Sequence, residues 1–393
     1  MIRSRSAAPA RMSDPDDGVN LCNGGLLTRR TCVLFGASAL FVKMGNAQAV
    51  APASSTHSVA PALLMGRSSL IVGGPDNGPL AGWAHLLGAT IGQRIGAPDQ
   101  TLRITYVGGA DGVTAANQFE ARTAPDGSMA LLVSGSSAMA WLIGDQRAQF
   151  NAGHWLPVAT GLASGIVLRA PTLSTSTTPA SMMSGAPGRR PLLAASGSAE
   201  LAVAATLGLS MLGIETQLVV DTDEPLTTMR KGMADLVFLR GPNAVSSTAA
   251  ARALGATPIF SLGVMDDVGS LIRDPQIADI PTLPEILATR QSASYPSGLL
   301  AAWRAVAASA QLEFALVLPW LTPSGVVSQW RKAVSQINGT VRTDTPAEAA
   351  LRLAQSTTLR LQTDPAANFG LSAIAVDANT LLEFRRWTAS RMP

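Results

Sequence analysis

The chain has 393 residues, of which 47% are hydrophobic and 14% are charged, and its formal net charge is +3. A chain of this size and apolar content can bury a large core in one or two domains. Six basic and three acidic residues precede residue 50, so the formal charges of the remaining 23 basic and 23 acidic residues sum to zero. Because the basic excess is confined to the N-terminal segment, the charge argues against a nucleic-acid-binding surface, and we expect no nucleic-acid partner.

Residues 1–49 have the features of an export signal. Arg29 and Arg30 precede an apolar run from Cys32 to Val42, and Ala47-Gln48-Ala49 forms a small-x-small cleavage site. The apolar run has about half of the ~20 residues that are needed to span a bilayer. The paired arginines fit either a twin-arginine or a Sec signal. We therefore expect an exported, periplasmic protein; the alternative is a leader that anchors the chain in the membrane.

Both cysteines of the chain, Cys22 and Cys32, lie in this leader. A chain that begins at Val50 would have no disulfide, no thiolate nucleophile and no cysteine metal ligand. The segments after the leader lack an uninterrupted apolar run of membrane-spanning length, so we expect no transmembrane helix there.

Residues 50–68 are rich in Ala, Ser and Pro and are expected to be a flexible lead-in, and from Ser69 onward short apolar runs alternate with helix-like stretches. Such alternation predicts βαβ units and sheets that contain parallel strands. Residues 172–191 interrupt the pattern. The expected helices include Glu200–Leu212, one that begins at the capping box Thr345–Glu348, and one from about Val376. The expected strands are Leu70–Val72, Leu102–Val107, Met129–Ser134, Val158–Leu162, Ile166–Arg169, Leu192–Ala195, Gln217–Asp221, Leu236–Leu239, Pro258–Leu262 and Phe314–Leu318.

The residues that carry enzyme chemistry are few in this sequence. After the lead-in only His85 and His154 remain, and neither has a second ligand at the spacing of a zinc site. The sequence contains no phosphate-binding P-loop, no G-x-S-x-G and no H-E-x-x-H motif. We therefore expect no metal, no cofactor and no covalent catalysis.

The stretch from Val107 to Val133 holds a glycine-rich turn, a helix, a Pro-Asp-Gly turn and an apolar strand. The bare N–H groups at the start of such a helix can hold an anion or another polar ligand. The same glycines also have a purely local explanation, because a tight turn needs residues that tolerate φ > 0.

Five stretches, in serial order, resemble the Bug-type extracytoplasmic receptors of tripartite tricarboxylate transporters. The resemblance covers about residues 69–390. The stretches are Leu70–Leu87 (strand, glycine turn and helix), Val107–Val133 with its turn Ala124-Pro125-Asp126-Gly127, Leu193–Leu201 (strand, Ser/Gly turn and helix), the strand entry Met233–Val237, and the turn Ile280–Glu285.

The resemblance implies an α/β fold with two lobes, built of two mixed or parallel sheets flanked by helices, and a ligand cleft between the lobes. Lobe one would comprise residues 69–169 and 290–393, and lobe two residues 170–289. Glycine turns and helix N-termini from both lobes would hold the ligand, which in this family is usually a carboxylate. The implied ligand-binding residues are Gly78, Pro79, Ala81, Gly109, Ala110, Asp111, Gly112, Ser134, Gly135, Ser136, Ser196, Gly197 and Ser198.

Three positions depart from the family pattern. Ala81 stands where the family usually has an acidic residue, and His85 stands where it usually has an arginine. Asp111 lies near a helix start, where its carboxylate can cap N–H groups and would repel an anionic ligand. Structural explanations also exist for Ser198, as a helix cap, and for His85, as a surface histidine. The tryptophans Trp141, Trp155 and Trp320 are expected in the core or at the edge of the cleft.

The sequence thus leaves three functional hypotheses. The first is an exported, monomeric receptor that closes on a small organic ligand and delivers it to tripartite-transporter membrane components or to a sensor. The second is a degenerate receptor-like protein that binds a neutral ligand or a partner protein, as the changes at Ala81, His85 and Asp111 suggest. The third is a hydrolase or lyase, which would require Asp111, His85 and the serines to reach one substrate.

Overall fold

The structure, a computed structural model, describes residues 68–95, 102–171, 190–219, 224–266, 269–290, 297–335, 360–362 and 369–391. The expected export signal, nearly all of the lead-in and the capping box Thr345–Glu348 lie outside these residues, and so do residues 172–189 of the interrupting segment. No helix within the described ranges is long and apolar enough to cross a membrane.

The described residues form strands and helices in alternation over much of their length. The strands are β1 (Ser69–Gly73), β2 (Arg103–Val107), β3 (Met129–Val133), β4 (Leu156–Leu162), β5 (Gly165–Arg169), β6 (Leu192–Ala195), β7 (Gln217–Val219), β8 (Leu236–Arg240), β9 (Thr257–Ser261), β10 (Val264–Met265), β11 (Leu271–Ile272), β12 (Leu312–Leu318) and β13 (Arg360–Gln362). The helices are α1 (Ala81–Ile95), α2 (Val113–Arg122), α3 (Gly135–Ile143), α4 (Val203–Met211), α5 (Pro225–Arg230), α6 (Ala244–Ala253), α7 (Leu283–Thr289), α8 (Ser297–Gln311), α9 (Ser324–Ser335), α10 (Phe369–Ser372) and α11 (Ala378–Arg391).

Two mixed sheets organise the fold, as expected. In the part of the chain that the structure describes, the first sheet has the order β13-β4-β12-β3-β1-β2 and the second has the order β7-β6-β8-β5-β9. The strands β1, β2 and β3 are parallel, whereas β12 runs antiparallel to β3 and β4. In the second sheet β6 is parallel to β7 and β8, whereas β5 is antiparallel to β8 and β9.

The chain passes from the first sheet to the second between Leu162 and Gly165, because β4 pairs with β12 and β5 pairs with β8. Strand β5 therefore belongs to the second sheet, although the expected first lobe of residues 69–169 included it. The chain returns to the first sheet through α8, which leads directly into β12.

The predicted strands are all present, and their ends agree to within about two residues except for Gln217–Asp221, whose last two residues lie outside the described ranges. The short pair β10 and β11 and the strand β13 were not predicted, because two or three residues carry no readable period. The helix expected over Glu200–Leu212 begins only at Val203. Residues 198–203 form successive i→i+3 turns instead, including those from Leu201 N to Ser198 O and from Val203 N to Glu200 O.

Helix α8 holds the two sheets together. It packs against α3, α11 and α4. Its Trp303 is fully buried, donates a hydrogen bond from Nε1 to the Ala204 carbonyl at 3.0 Å, and meets the Phe260 ring edge-on. One continuous apolar core therefore runs from the first sheet through α8 to the second.

Smaller apolar clusters cover the outer face of each sheet. Helices α1 and α9 cover the first sheet, where Trp330 of α9 is fully buried and donates to the Gly127 carbonyl at 3.1 Å. Helices α5 and α6 cover the second sheet. Both faces of each sheet are thus covered, as is usual for sheets in α/β proteins. The loops at the strand ends are the parts that can form a binding site.

Candidate functional site

The glycine turns after β1 and β2 lie side by side at the carboxyl ends of these parallel strands, the usual position of ligand sites in open α/β sheets. A Cβ atom on Gly73 would lie 2.9 Å from the Gly112 Cα, so only glycine permits this approach of the two backbones. Gly112 has φ +70°. The turn glycines therefore have a structural role here, whatever they bind.

The other predicted residues of these turns are at the surface or near it. Gly78 and Pro79 precede α1, and Ala81 is its first residue; the Ala81 N–H donates to the Gly78 carbonyl at 3.0 Å. Gly109 and Ala110 are exposed in the turn before α2.

Asp111 is held by two partners. Its Oδ1 accepts a hydrogen bond from Val113 N at 3.2 Å, the contact that the capping explanation expects, and its Oδ2 pairs with Arg147 Nη1 at 2.8 Å. Arg147 also pairs with Asp145 at 2.7 Å. Hydrogen bonds from Arg147 lower the pKa of Asp145, and hydrogen bonds to Asp145 and then Asp111 raise the pKa of Arg147. One arginine thus faces two carboxylates, so this turn keeps a net charge of −1 at neutral pH.

The Asp111 turn also contacts the first turn of α3. The Ser137 hydroxyl donates to the Asp111 carbonyl at 2.8 Å, and a Cβ on Gly112 would collide with Ser137 Oγ. Ser134 is the N-cap residue of the same helix. The predicted turns at Asp111 and Ser134 are therefore neighbours in the structure.

The N-terminus of α3 lies against the end of α8. A Cβ on the buried Gly135 would fall 1.9 Å from the Ser309 carbonyl oxygen and 2.9 Å from that of Leu312. Ser136, the next residue of α3, is half-buried. Gly135 thus lets the predicted Ser134 turn pack directly on the backbone that leads from α8 into β12.

Arg240, at the end of β8, joins this segment to the second sheet. Its Nε donates to the Ala310 carbonyl at 2.8 Å, and its Nη2 pairs with Glu313 at 2.7 Å; the two side chains are only 13% and 22% exposed. A Cβ on Gly197 would lie 3.5 Å from Arg240 Nη1. Arg240 therefore lies between the Ser196–Ser198 turn and the start of β12.

Four serine hydroxyls along this series of contacts are buried and make no hydrogen bond among the described residues. They belong to Ser134, Ser196, Ser198 and Ser309. A buried hydroxyl without a partner costs about 1–3 kcal/mol. Three of the four were predicted as ligand contacts, and the capping explanation of Ser198 finds no hydrogen bond to support it.

Sequence analysis did not identify three residues of this region. Arg147 lies in a loop and Ser309 lies inside α8, and no sequence motif marks either residue. Arg240 had a readable signal, because it is the first charged residue after a fully buried strand at the carboxyl edge of a sheet.

The residues considered for acid–base catalysis make their contacts with other groups and not with each other. His85 is exposed on α1, and its Nε2 lies 3.3 Å from the Tyr106 hydroxyl. Burial, and next the charge of Asp76, raise the pKa of Tyr106. The described contacts of Asp111 are with Arg147 and backbone rather than with His85. Among the described residues no group of three His, Cys, Asp or Glu side chains could hold a metal ion.

The three tryptophans named above fall in different environments. Trp155 is buried and stacks on Phe150 with ring centroids 5.3 Å apart, and Trp141 is partly buried against the main core. Trp320 is 52% exposed and lies over the His154 ring at 4.8 Å. Trp320 is at the end of β12 that faces away from the glycine turns, so it lies outside the candidate site.

Comparison with known proteins shows that the fold of this chain is similar to that of solved structures. No protein-family model matches the chain, and no curated protein sequence matches it. A TctC solute-binding protein from Polaromonas, solved without ligand, is 14% identical with a TM-score of 0.55, over 82% of this chain and 98% of that chain. MatC from Rhodopseudomonas palustris, solved with malate, is 18% identical with a TM-score of 0.48, over 81% and 98%. An R. palustris protein solved with adipate is 15% identical with a TM-score of 0.48, over 82% and 98%. The first comparison shows that the chain has the two-lobe fold of TctC solute-binding proteins, as the resemblance implied.

Proposed function

We propose that this protein is an exported receptor of the Bug type that binds a small organic ligand between two lobes, without covalent chemistry. Lobe one would contain the first sheet and lobe two the second, with the boundary at residues 163–164 rather than after residue 169. The pairing of β4 within the first sheet and of β5 within the second supports this division. Closure of the lobes, a periplasmic location, a monomeric state and delivery to membrane components of a tripartite transporter or to a sensor belong to the same proposal.

The four buried hydroxyls carry the proposal for the site. Ser134 and Ser309 belong to lobe one, and Ser196 and Ser198 belong to lobe two. They follow one series of contacts that passes through Arg240. Hydroxyl and guanidinium groups donate hydrogen bonds, so this side of the site suits a ligand that accepts them, and a carboxylate accepts the most per atom.

A second candidate ligand is favoured by the Asp111 turn, which neighbours Ser134 at one end of this series of contacts. The Asp111 turn keeps a net charge of −1 with Asp145 and Arg147, which disfavours a ligand that is anionic throughout. A neutral ligand, or a partner protein, remains the alternative on this observation.

The proposal is tested by a thermal-shift screen of the purified full chain against mono-, di- and tricarboxylates, amino acids and neutral aromatics. A ligand present at ~100 times its dissociation constant adds about 2.7 kcal/mol of stability. The screen is repeated with Ser196→Ala/Ser198→Ala and with the control Ser335→Ala, whose hydroxyl is exposed at the end of α9.

The hydroxyl variants separate a ligand role from a structural one. If Ser196 and Ser198 bind the ligand, their replacement abolishes the shift but leaves the free protein equally or more stable, because no internal hydrogen bond is lost. If the ligand-induced shift persists in Ser196→Ala/Ser198→Ala, or if the free variant is strongly destabilised, the site is wrongly placed.

A further inference from the structure

Glu313, at the start of β12, neutralises the basic side chain that adjoins the Ser196–Ser198 turn. Its Oε1 lies 2.7 Å from Arg240 Nη2, and both side chains are largely shielded from water. The Arg240 Nε also donates to the Ala310 carbonyl at 2.8 Å, so the guanidinium is fixed on the same segment that carries Glu313. Arg240 therefore offers hydrogen-bond donors to a ligand but no net charge.

The turn at the other end of the series of contacts has an excess of negative charge. Arg147 pairs with both Asp111 and Asp145, at 2.8 and 2.7 Å, so two carboxylates share one cation. Asp111 Oδ1 also accepts a hydrogen bond from the Val113 N–H at 3.2 Å, so the start of α2 is already occupied by a carboxylate of the chain itself. A ligand group with a positive charge is therefore favoured beside Asp111.

Two further carboxylates belong to the neighbouring turns. Asp76 lies in the turn after β1, where a Cβ on Gly74 would be 3.8 Å from the Ala110 Cα of the Asp111 turn. Glu200 is half-buried, two residues after Ser198. In the described residues of these turns and of the segment that leads from α8 into β12, carboxylates therefore outnumber guanidinium groups. The carboxylates are those of Asp76, Asp111, Asp145, Glu200 and Glu313, and the guanidinium groups are those of Arg147 and Arg240.

We propose that Glu313 sets the charge selectivity of the candidate site, and that the ligand is an organic amine whose other end is an uncharged hydrogen-bond acceptor. The ammonium group lies beside Asp111. The acceptor is held by Arg240 and by the Ser196 and Ser198 hydroxyls, which are buried and have no hydrogen-bond partner among the described residues. The inference rests on the proposed function and narrows the ligand of that site to one chemical class.

Charge decides against the two other classes of ligand. A carboxylate accepts more hydrogen bonds than an amide or a hydroxyl oxygen, but beside the serine hydroxyls it would share Arg240 with Glu313, and two carboxylates that face one cation repel each other. A neutral ligand avoids that repulsion but leaves the excess of carboxylates uncompensated, whereas an ammonium group lowers their mutual repulsion. An amine with an uncharged acceptor therefore satisfies both ends of the site.

The first test is a thermal-shift series on the full chain with ω-amino amides, ω-amino acids and dicarboxylates of three to six carbon atoms, at constant ionic strength. At the chain length that fits best, we expect the amino amide to bind at least about tenfold more tightly than the dicarboxylate. Tighter binding of the dicarboxylate, or no binding by any member of the series, overturns the inference. The proposed function survives the first result if Ser196→Ala/Ser198→Ala abolishes the dicarboxylate shift, and it survives the second if another class in the broader screen binds.

The variant Glu313→Gln tests the selectivity residue itself. Glutamine keeps an acceptor for Arg240 but removes the charge, so the guanidinium becomes an unmatched cation beside the Ser196–Ser198 turn. We expect the ratio of amino-acid to amino-amide affinity to rise at least about tenfold, because the carboxylate of the amino acid then has a cation of its own. The matched control is Asp279→Asn, which removes a carboxylate from the exposed Arg252 of α6. An unchanged ratio in Glu313→Gln, or an equal rise in the control, overturns the proposal.

The variant Asp111→Asn tests the other end of the site. Asparagine keeps an acceptor for the Val113 N–H, and Arg147 remains paired with Asp145, so the turn loses its net charge but keeps its cap. An unfolding midpoint close to that of the wild type shows that the variant is folded. We expect the amino amide to bind this variant at least about tenfold more weakly. An unchanged affinity for the amino amide means that its ammonium group does not lie beside Asp111, and the proposal is overturned.

Discussion

The contact between Arg240 and Glu313 should be one of the main polar links between the two sheets. Replacement of Arg240 by methionine keeps much of the apolar stem but removes the donors to Glu313 and to the Ala310 carbonyl. Each hydrogen bond to a charged group contributes about 1.5–3 kcal/mol. Because the side chains are 13% and 22% exposed, water can reach part of the freed carboxylate. We therefore expect the free energy of unfolding to fall by about 2–4 kcal/mol.

A double-mutant cycle isolates the pair from its surroundings. Glu313→Gln keeps an acceptor for Arg240 and should cost only about 1 kcal/mol. Denaturant unfolding of Arg240→Met, Glu313→Met and the double variant should give a coupling of about 1–3 kcal/mol. Coupling near zero, or a cost of Arg240→Met below ~0.5 kcal/mol, would refute the reasoning that this arginine joins the sheets.

Three further expectations follow from local geometry. Gly135→Ala should destabilise by at least about 1–3 kcal/mol, because its Cβ would collide with the Ser309 carbonyl; Gly325→Ala in α9, where nothing lies within 4 Å, is the control and should be neutral or stabilising in the same unfolding assay. Hydrogen bonds from Thr380, first from its backbone, lower the pKa of Asp377 at the start of α11. A lowered folded-state pKa contributes stability above the unfolded value of ~3.9 that is lost as the pH falls through the folded value. The protection factors for hydrogen exchange at the start of α11 should therefore fall below about pH 4, and Asp377→Asn should remove that pH dependence. In the thermal-shift screen, an amino acid should stabilise the protein more than a dicarboxylate of equal length; the reverse order would mean that Asp111 does not face the ligand.

The sequence predicted the strands well because most of them are short, largely apolar segments with a turn signal at one end. The buried run of β8, Leu236–Leu239, and the Pro-Asp-Gly turn before β3 are examples. The order of the strands in each sheet could not be predicted from such local segments. The crossing of the chain at residues 163–164 depends on long-range pairing of β5 with β8, and no local pattern in Gly165–Arg169 reports which sheet it joins.

The candidate site was predicted in part for the same reason. The turns that contain Asp111, Ser134 and Ser196 could be recognised, because glycines and small polar residues follow apolar strands. The partners that fix those turns could not be recognised in the same way. Arg147 comes 36 residues after Asp111, and Ser309 lies inside α8, where its spacing resembles that of any small residue facing a helical neighbour.

The contacts of Asp111 with its partners change the interpretation of this departure from the family pattern. From the sequence alone, Asp111 was expected to repel an anionic ligand. In the structure its charge lies at one end of the series of contacts, beside Ser134, where Arg147 and Asp145 share it, whereas Ser196, Ser198 and Arg240 lie at the other end. A ligand that accepts hydrogen bonds at one end and donates them at the other satisfies both ends, and a ligand with a carboxylate at each end meets the Asp111 turn with like charge. Under the proposed function, the aspartate at this turn therefore favours a ligand whose two ends differ in polarity.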